Sequence, residues 1–376
     1  MPTVSAIARA LEAWAPRGMA ADFDNVGLLV GDSAREVTGV LVALDLTPTV
    51  VAEARKLGAE MIVTHHPLLF KPQKRLVASD PVGALVLKLA EAGIAYYAAH
   101  TNLDAAPAGV SFALAAQLGI EDARVLVPQP EALVKLVSFV PRSAAMEVRA
   151  AMAGAGAGHI GDYEACAFTS EGTGYFRPGE RTTPSIGTAG GPLESVDEVR
   201  IEVEVTRWDL RRVLSAMRAA HPYEEVAYDV YPLEKTTTQA GYGAIGALPV
   251  PLPLRDFLAI VQARLNAGAL RYAGSSDALV RSVAVCGGSG SRFISDALRA
   301  GADAFVTADV TYHTFFDVLD AEGRTQMALI DPGHYETERI TERILVDYLA
   351  TSFSTLAIHR TEAWTSPIRT FSVRDA

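Results

Sequence analysis

The sequence predicts an α/β chain of two related βαβ-type halves forming one unit, interrupted by an α+β domain of ferredoxin-like order. Three observations lead there. Residues 41–66 lie over residues 284–309 without a gap, each copy reading as apolar strand, short turn, helix and second strand. Both copies continue into a third apolar strand that ends in a histidine. Between them, residues 130–236 follow the order β-α-β-β-α-β.

The first copy is LVALDLTPTVVAEARKLGAEMIVTHH and the second AVCGGSGSRFISDALRAGADAFVTAD. Gly58 and Gly301 fall in register as helix stops, and so do Val63 with Val306 and Thr64 with Thr307. His65 and His66 therefore stand opposite Ala308 and Asp309. The third strands, IAYYAAHTNLD and MALIDPGHYETE, each place a carboxylate four residues after the histidine: His100 with Asp104, and His334 with Glu338. Repeated βαβ units imply parallel strands with helices outside, and polar groups collect at the carboxyl ends of such strands.

The intervening segment reads as strand KLVSFVP, helix SAAMEVRAAM, strand YEACAFTSEG, strand VRIEVEVT, helix WDLRRVLSAMRAAHP and strand VAYDVYPL. VRIEVEVT alternates with period two, while Leu210, Val213, Leu214 and Met217 follow helical spacing. The predicted boundaries are 1–129, 130–236 and 237–376. GYGAIG, residues 241–246, matches a dinucleotide fingerprint formally, but three prolines follow in ALPVPLPLRD, and it reads as a re-entry loop. CGGSGSRF, residues 286–293, sits at a strand-to-helix turn whose amides could hold a phosphate, or whose glycines serve only the turn.

With 49% apolar and 20% charged residues in 376, the chain can bury a substantial core. Its formal charge of −11 argues against nucleic acid as a partner. Two cysteines, Cys166 and Cys286, without CxxC spacing fit a reducing compartment. The N-terminal residues lack a basic head and carry Glu12 where a signal core would be uncharged, and no apolar run reaches membrane-spanning length. The expectation is a cytoplasmic protein with no membrane partner.

Adjacent residues at a strand tip point to opposite sides, so His65 and His66 can each face a different group if the strand ends at Pro67. An isolated pair of this kind is more often a hydrogen-bonded loop pair. His334 and Glu338 share a helix face at i and i+4, and alone would be an ordinary surface pair. Asp104 also fits a helix N-cap ahead of Pro107. Their arrival at one end of one sheet changes the weighing. Several histidines with two carboxylates are the composition of a two-metal site, where a carboxylate bridges ions about 3.5–4 Å apart.

THHPLLF, HTNLD and DPGHYETE, in this order at these strand ends, resemble the Nif-three-like dinuclear metal centre family, whose members are also described as type two homologues of GTP cyclohydrolase one. The matching segments cover about 1–125 and 240–376. The resemblance implies that His65, His66, Asp104, His334 and Glu338 bind two divalent metal ions, zinc, iron or manganese, with Asp104 and Glu338 as bridges. It sets His100 beside the cluster as an acid/base or supporting group, and Asp309 and His313 as groups that orient ligands or merely cap the strand end. HPYEEVAYDVYPL resembles the extra PII/CutA-like domain of long-form members. There His221 and Glu224 form a weaker candidate pair, because a helix end before a proline turn already accounts for the motif.

A homohexamer with sites facing an inner cavity is implied as well. The function expected is hydrolysis of a nucleotide or other phosphate-containing small molecule by a metal-activated water, with GTP ring opening as the family's suggestion. The alternative is a metal-handling or regulatory protein without turnover.

Overall fold

The computed structural model describes residues 1–370; residues 371–376, the end of the predicted second half, lie outside the described residues. The chain forms two compact units, Met1–Pro128 together with the chain from Thr238 onward, and Gln129–Thr237.

The first unit contains two sheets. In the five-stranded sheet Gly39–Ala43, Met61–Thr64 and Ala95–Ala98 run parallel, with Gly27–Val30 antiparallel beside Ala95–Ala98. In the six-stranded sheet Leu279–Val285, Ala304–Val306 and Ala328–Asp331 run parallel, with Arg271–Ala273 antiparallel beside Ala328–Asp331. The same four-strand pattern thus occurs twice. All residues of the first three parallel strands are buried, as expected of strands covered on both faces.

The helix Pro48–Leu57 shows how the sequence sets these crossovers. The Thr47 hydroxyl accepts the Val50 amide at 3.3 Å, Pro48 opens the first turn, and Gly58 closes the helix at φ 69°. Its Val50 and Ala54 pack with Leu41, Ile62 and Tyr96 of the sheet and Leu89 of the helix Pro81–Ala92. Truncating a fully buried leucine such as Leu41 to alanine would cost about 2–5 kcal/mol.

The predicted halves are not closed on themselves. Ala357–Arg360 adds a parallel edge strand to Gly39–Ala43, and Glu121–Pro128 pairs antiparallel with Gly241–Pro253 in the other sheet. The helix Val110–Leu118 also contributes Leu114, Ala115 and Leu118 to the core built on Phe257, Val261, Val283 and Val285.

GYGAIG is corrected by the structure: it opens the strand Gly241–Pro253, which pairs with two neighbours. Its glycines permit close approach. A Cβ on Gly246 would lie 2.3 Å from the Glu121 carbonyl oxygen, and one on Gly241 2.2 Å from that of Val127. Pro249 and Pro251 fall between Ala247 and Leu252, where the ladder with Leu279–Val285 shifts register and asks for no amide proton.

The second unit has the element order Leu133–Pro141, helix Ala145–Gly154, Ala167–Phe176, Glu194–Thr206, helix Leu210–Ala220 and Tyr228–Pro232. Its four strands form one antiparallel sheet with Leu133–Pro141 between Glu194–Thr206 and Tyr228–Pro232, and Ala167–Phe176 at the far edge. Val148, Met152, Val213 and Met217 of the helices bury Leu136, Val140, Ile201 and Val203 of the strands. Among the described residues no helix is long and apolar enough to cross a membrane.

Candidate metal centre

Parallel strands deliver the predicted residues to one place. His65 and His66 follow the strand Met61–Thr64 directly. His100 lies just beyond Ala95–Ala98 and precedes the short helix Thr101–Ala105, which carries Asp104 within it and not at its N-cap. His334 opens the short helix His334–Glu338 after Ala328–Asp331. Two buried hydroxyls pin the double histidine: Tyr96 donates to the His66 carbonyl oxygen at 2.9 Å, and Thr64 Oγ1 donates to it at 2.8 Å.

Each imidazole is held from behind at Nδ1. The partners are the Ala99 carbonyl oxygen for His65 (2.7 Å), Asp45 for His66 (2.7 Å), Asp24 for His100 (2.9 Å) and Asp309 for His334 (2.8 Å). A carbonyl oxygen only accepts, so His65 Nδ1 donates and its Nε2 faces inward. His66 Nε2 and His334 Nε2 lie 2.8 and 2.9 Å from Glu338 Oε2, and 3.3 Å from each other. His65 Nε2 lies 3.6 Å from Asp104 Oδ1 and 3.7 Å from Glu338 Oε1. His100 completes the group, its ring centre 5.2 Å from that of His65 and 5.5 Å from that of His66.

Three sets of groups place their ligand atoms within 4.8 Å of one another: His65, His66 and His100; His66, His334 and Glu338; His65, Asp104 and Glu338. The donor set fits a divalent ion on an independent ground. His65 Nε2 is fully buried and has no hydrogen-bond partner, a costly state for a polar atom aimed at two carboxylates. These groups could hold a metal ion.

The electrostatics agree. Burial alone pushes the Glu338 carboxyl up, but hydrogen bonds and charge from the surrounding imidazoles outweigh it and hold it well below the usual carboxylate range. Burial lowers His66 and His334, yet Glu338 with Asp45 pushes His66 up to about 10, and Glu338 with Asp309 pushes His334 up to about 9. Burial raises Asp104, and Glu338 raises it further against the pull of His65. Burial likewise favours neutral Asp24, but hydrogen bonds from His100 and Thr101 overcome it and bring Asp24 down to about 2. At neutral pH His66 and His334 therefore hold protons in the metal-free protein, and a cation bound there would have to displace them.

Asp309 joins the cluster as the resemblance implies, from a left-handed backbone position at φ 55° that aspartate tolerates better than most residues. His313 does not. It lies exposed at the start of the short 3-10 helix His313–Val318, with its ring against Tyr312, so the supporting role implied for it is corrected. His221 and Glu224 are each engaged elsewhere: His221 bonds the Phe139 carbonyl and the Tyr223 amide, and Glu224 accepts the Thr183 amide.

The turn CGGSGSRF does reach the cluster, where a Cβ on Gly288 would come 2.1 Å from Glu338 Oε1. The amides of Gly288 and Gly290 donate to Thr337 and Thr307, so two of the donors expected for a phosphate are already used. Sequence reasoning missed Asp24 and Asp45. Asp45 stands two residues beyond the strand Gly39–Ala43, where the strand-end rule could have found it. Asp24 lies in an irregular segment, 76 residues from its partner His100, and gives no local signal.

A histidine and carboxylate cluster at the carboxyl ends of parallel strands defines a candidate metal-binding α/β protein. The chain matches the Duf34/NIF3 (NGG1p interacting factor 3) family over residues 2–367 and belongs to it. It is 43% identical over 324 residues to the GTP cyclohydrolase 1 type 2 homolog of Halalkalibacterium halodurans, covering 86% of each chain. Its identity to the Bacillus subtilis protein of the same name is 39% over 339 residues, 90% of each. The crystal structure of a Bacillus cereus protein related to NIF3 superposes with a TM-score of 0.80 at 40% identity, covering 98% of this chain and 99% of that one.

Proposed function

We propose that the protein binds two divalent metal ions through His65, His66, Asp104, His334 and Glu338. One observation carries this reading: Glu338 turns Oε2 to His66 and His334 at 2.8 and 2.9 Å, and Oε1 to His65 at 3.7 Å. One oxygen serves each of two sets, so Glu338 would hold both ions; Asp104, the second bridge that the resemblance implies, stands with His65 and Glu338 alone and would hold one. The two sheets are then related halves of one dinuclear unit, a reading supported by their shared strand pattern. Gln129–Thr237 is read as an inserted ferredoxin-like domain on the strength of its element and strand order.

The activity that fits best is hydrolysis of a nucleotide or other phosphate-containing small molecule. When bound, two ions of zinc, iron or manganese supply Lewis acidity and bring the pKa of coordinated water towards about 7. His100, held at Nδ1 by Asp24 and adjoining His65 and His66, moves a proton at Nε2. A cavity of about 460 Å³ lined by His66, His334 and Arg271 offers room for substrate beside the cluster.

Elemental analysis of the purified protein, followed by a screen of nucleotides and phosphoesters with GTP first, tests both parts. About two ions per subunit with turnover of one substrate is the expected result. Metal-free protein refutes the ligand assignment. Full occupancy without turnover favours the metal-handling reading instead.

A further inference from the structure

The unit Gln129–Thr237 carries a half-open cavity of about 460 Å³ whose lining residues all belong to that unit. Its size falls in the range of small-molecule sites. The motif HPYEE, which the metal reading leaves unused, builds it. Nε2–H of the buried His221 donates to the Phe139 carbonyl oxygen at 3.0 Å, and its Nδ1 accepts the Tyr223 amide at 3.1 Å. Both bonded residues line the cavity, so His221 braces two of its walls.

The aromatic walls are Phe139, Tyr175, Phe176 and Tyr223, with the Phe176 and Tyr223 rings edge to face at 5.7 Å. The Tyr223 hydroxyl donates to Glu198 Oε1 at 3.0 Å, which leaves Oε2 available to a ligand. Burial and the Glu198 carboxylate hold that hydroxyl above its ordinary pKa, so it remains a donor. Gly174 keeps the space open, because a Cβ there would lie 2.2 Å from Glu198 Oε2. Glu224 accepts the Thr183 amide at 2.9 Å and ties the loop to this wall, while Glu225 adds a third carboxylate. Arg177 is the one cation among the lining residues.

Aromatic faces attract cations, and a carboxylate makes charge-assisted hydrogen bonds with ammonium donors. The same carboxylates repel an anion. We propose that this cavity binds a small organic cation, a protonated amine carried on a flat apolar body. Glu198 is its charge partner, and the rings around it hold the apolar part.

Isothermal titration of the full-length protein with phenethylamine, 2-phenylethanol and 3-phenylpropionate at neutral pH separates charge from shape. The amine should bind at least about tenfold more tightly than the alcohol, and the carboxylate should not bind. Glu198→Gln and Gly174→Val should each weaken the amine at least about tenfold without changing metal content. If Gly174→Val fails to fold, Glu198→Gln alone decides the matter. Equal binding of all three compounds, no binding of the amine, or amine binding that survives Glu198→Gln would overturn the proposal.

Discussion

His65 and Glu338 face each other across 3.7 Å, Nε2 to Oε1, with the imidazole fully buried and the carboxylate nearly so. Since His65 Nδ1 donates to the Ala99 carbonyl oxygen, a neutral His65 aims a lone pair at Glu338 and at Asp104. Only a cation or a proton between them relieves the repulsion. Glu338→Gln should therefore strip both ions, whereas His65→Gln should strip the ion of its own set and leave about half the metal. Elemental analysis reads both outcomes, and full occupancy in the two variants would remove Glu338 as a bridge. With neither cation nor proton in place, the unpartnered buried Nε2 of His65 costs about 1–3 kcal/mol of stability.

Asp45 accepts two hydrogen bonds, from His66 Nδ1–H at 2.7 Å and from Thr365 Oγ1 at 2.8 Å. Asp45→Asn keeps an acceptor for the imidazole but removes the charge that makes His66 more basic. Metal affinity should fall about 10–100-fold, measured by competition with a chelator. An affinity equal to that of the parent would show that the charge behind His66 does not support metal binding.

How far the sequence reveals such a site depends on which contacts are local. The double histidine, the His334/Glu338 spacing and the glycine-stopped helices are patterns within a few residues, and they place the cluster at the strand ends. The carboxylates behind the imidazoles carry no spacing of their own, and Asp24 meets His100 only because Gly27–Val30 pairs with Ala95–Ala98. The exchanged strands Glu121–Pro128 and Ala357–Arg360 are likewise long-range pairings with nothing local to announce them. GYGAIG misleads for a different reason: glycine density ordinarily signals a loop, and here it serves close approach of two strands.

Glu342 is buried with Oε1 accepting the Leu44 amide at 3.2 Å, while Arg339 and Arg360 stand 3.8 and 3.7 Å from Oε2. Burial raises its carboxyl from 4.5 to about 7, because the two guanidinium groups and the amide offset the desolvation only in part. A carboxyl with a raised folded pKa favours folding in its neutral form. That contribution is fully present below about pH 4.5 and is lost as pH rises through about 7. In metal-stripped protein Glu342→Gln should therefore be more stable than the parent at pH 8, by up to about 3 kcal/mol, and should lose most of that advantage by pH 5. Denaturant unfolding at the two pH values measures it. A variant less stable at pH 8 than the parent would mean that the ion pairs outweigh the burial.

His100 separates an enzyme from a metal carrier. It is held by Asp24 at 2.9 Å, and its ring stands 5.2 Å from that of His65, close enough to join a ligand set as well as to move a proton. His100→Gln keeps a polar group of similar reach but cannot cycle a proton. If His100 is the acid/base group, both ions stay, because the five other side chains hold them. Turnover of the substrate found in the screen then falls by about 10²–10⁴. Retained metal with unchanged turnover removes His100 from the chemistry. Loss of one ion makes His100 a sixth ligand, and a site so fully enclosed by side chains belongs with metal handling more than with catalysis, which needs an open coordination position.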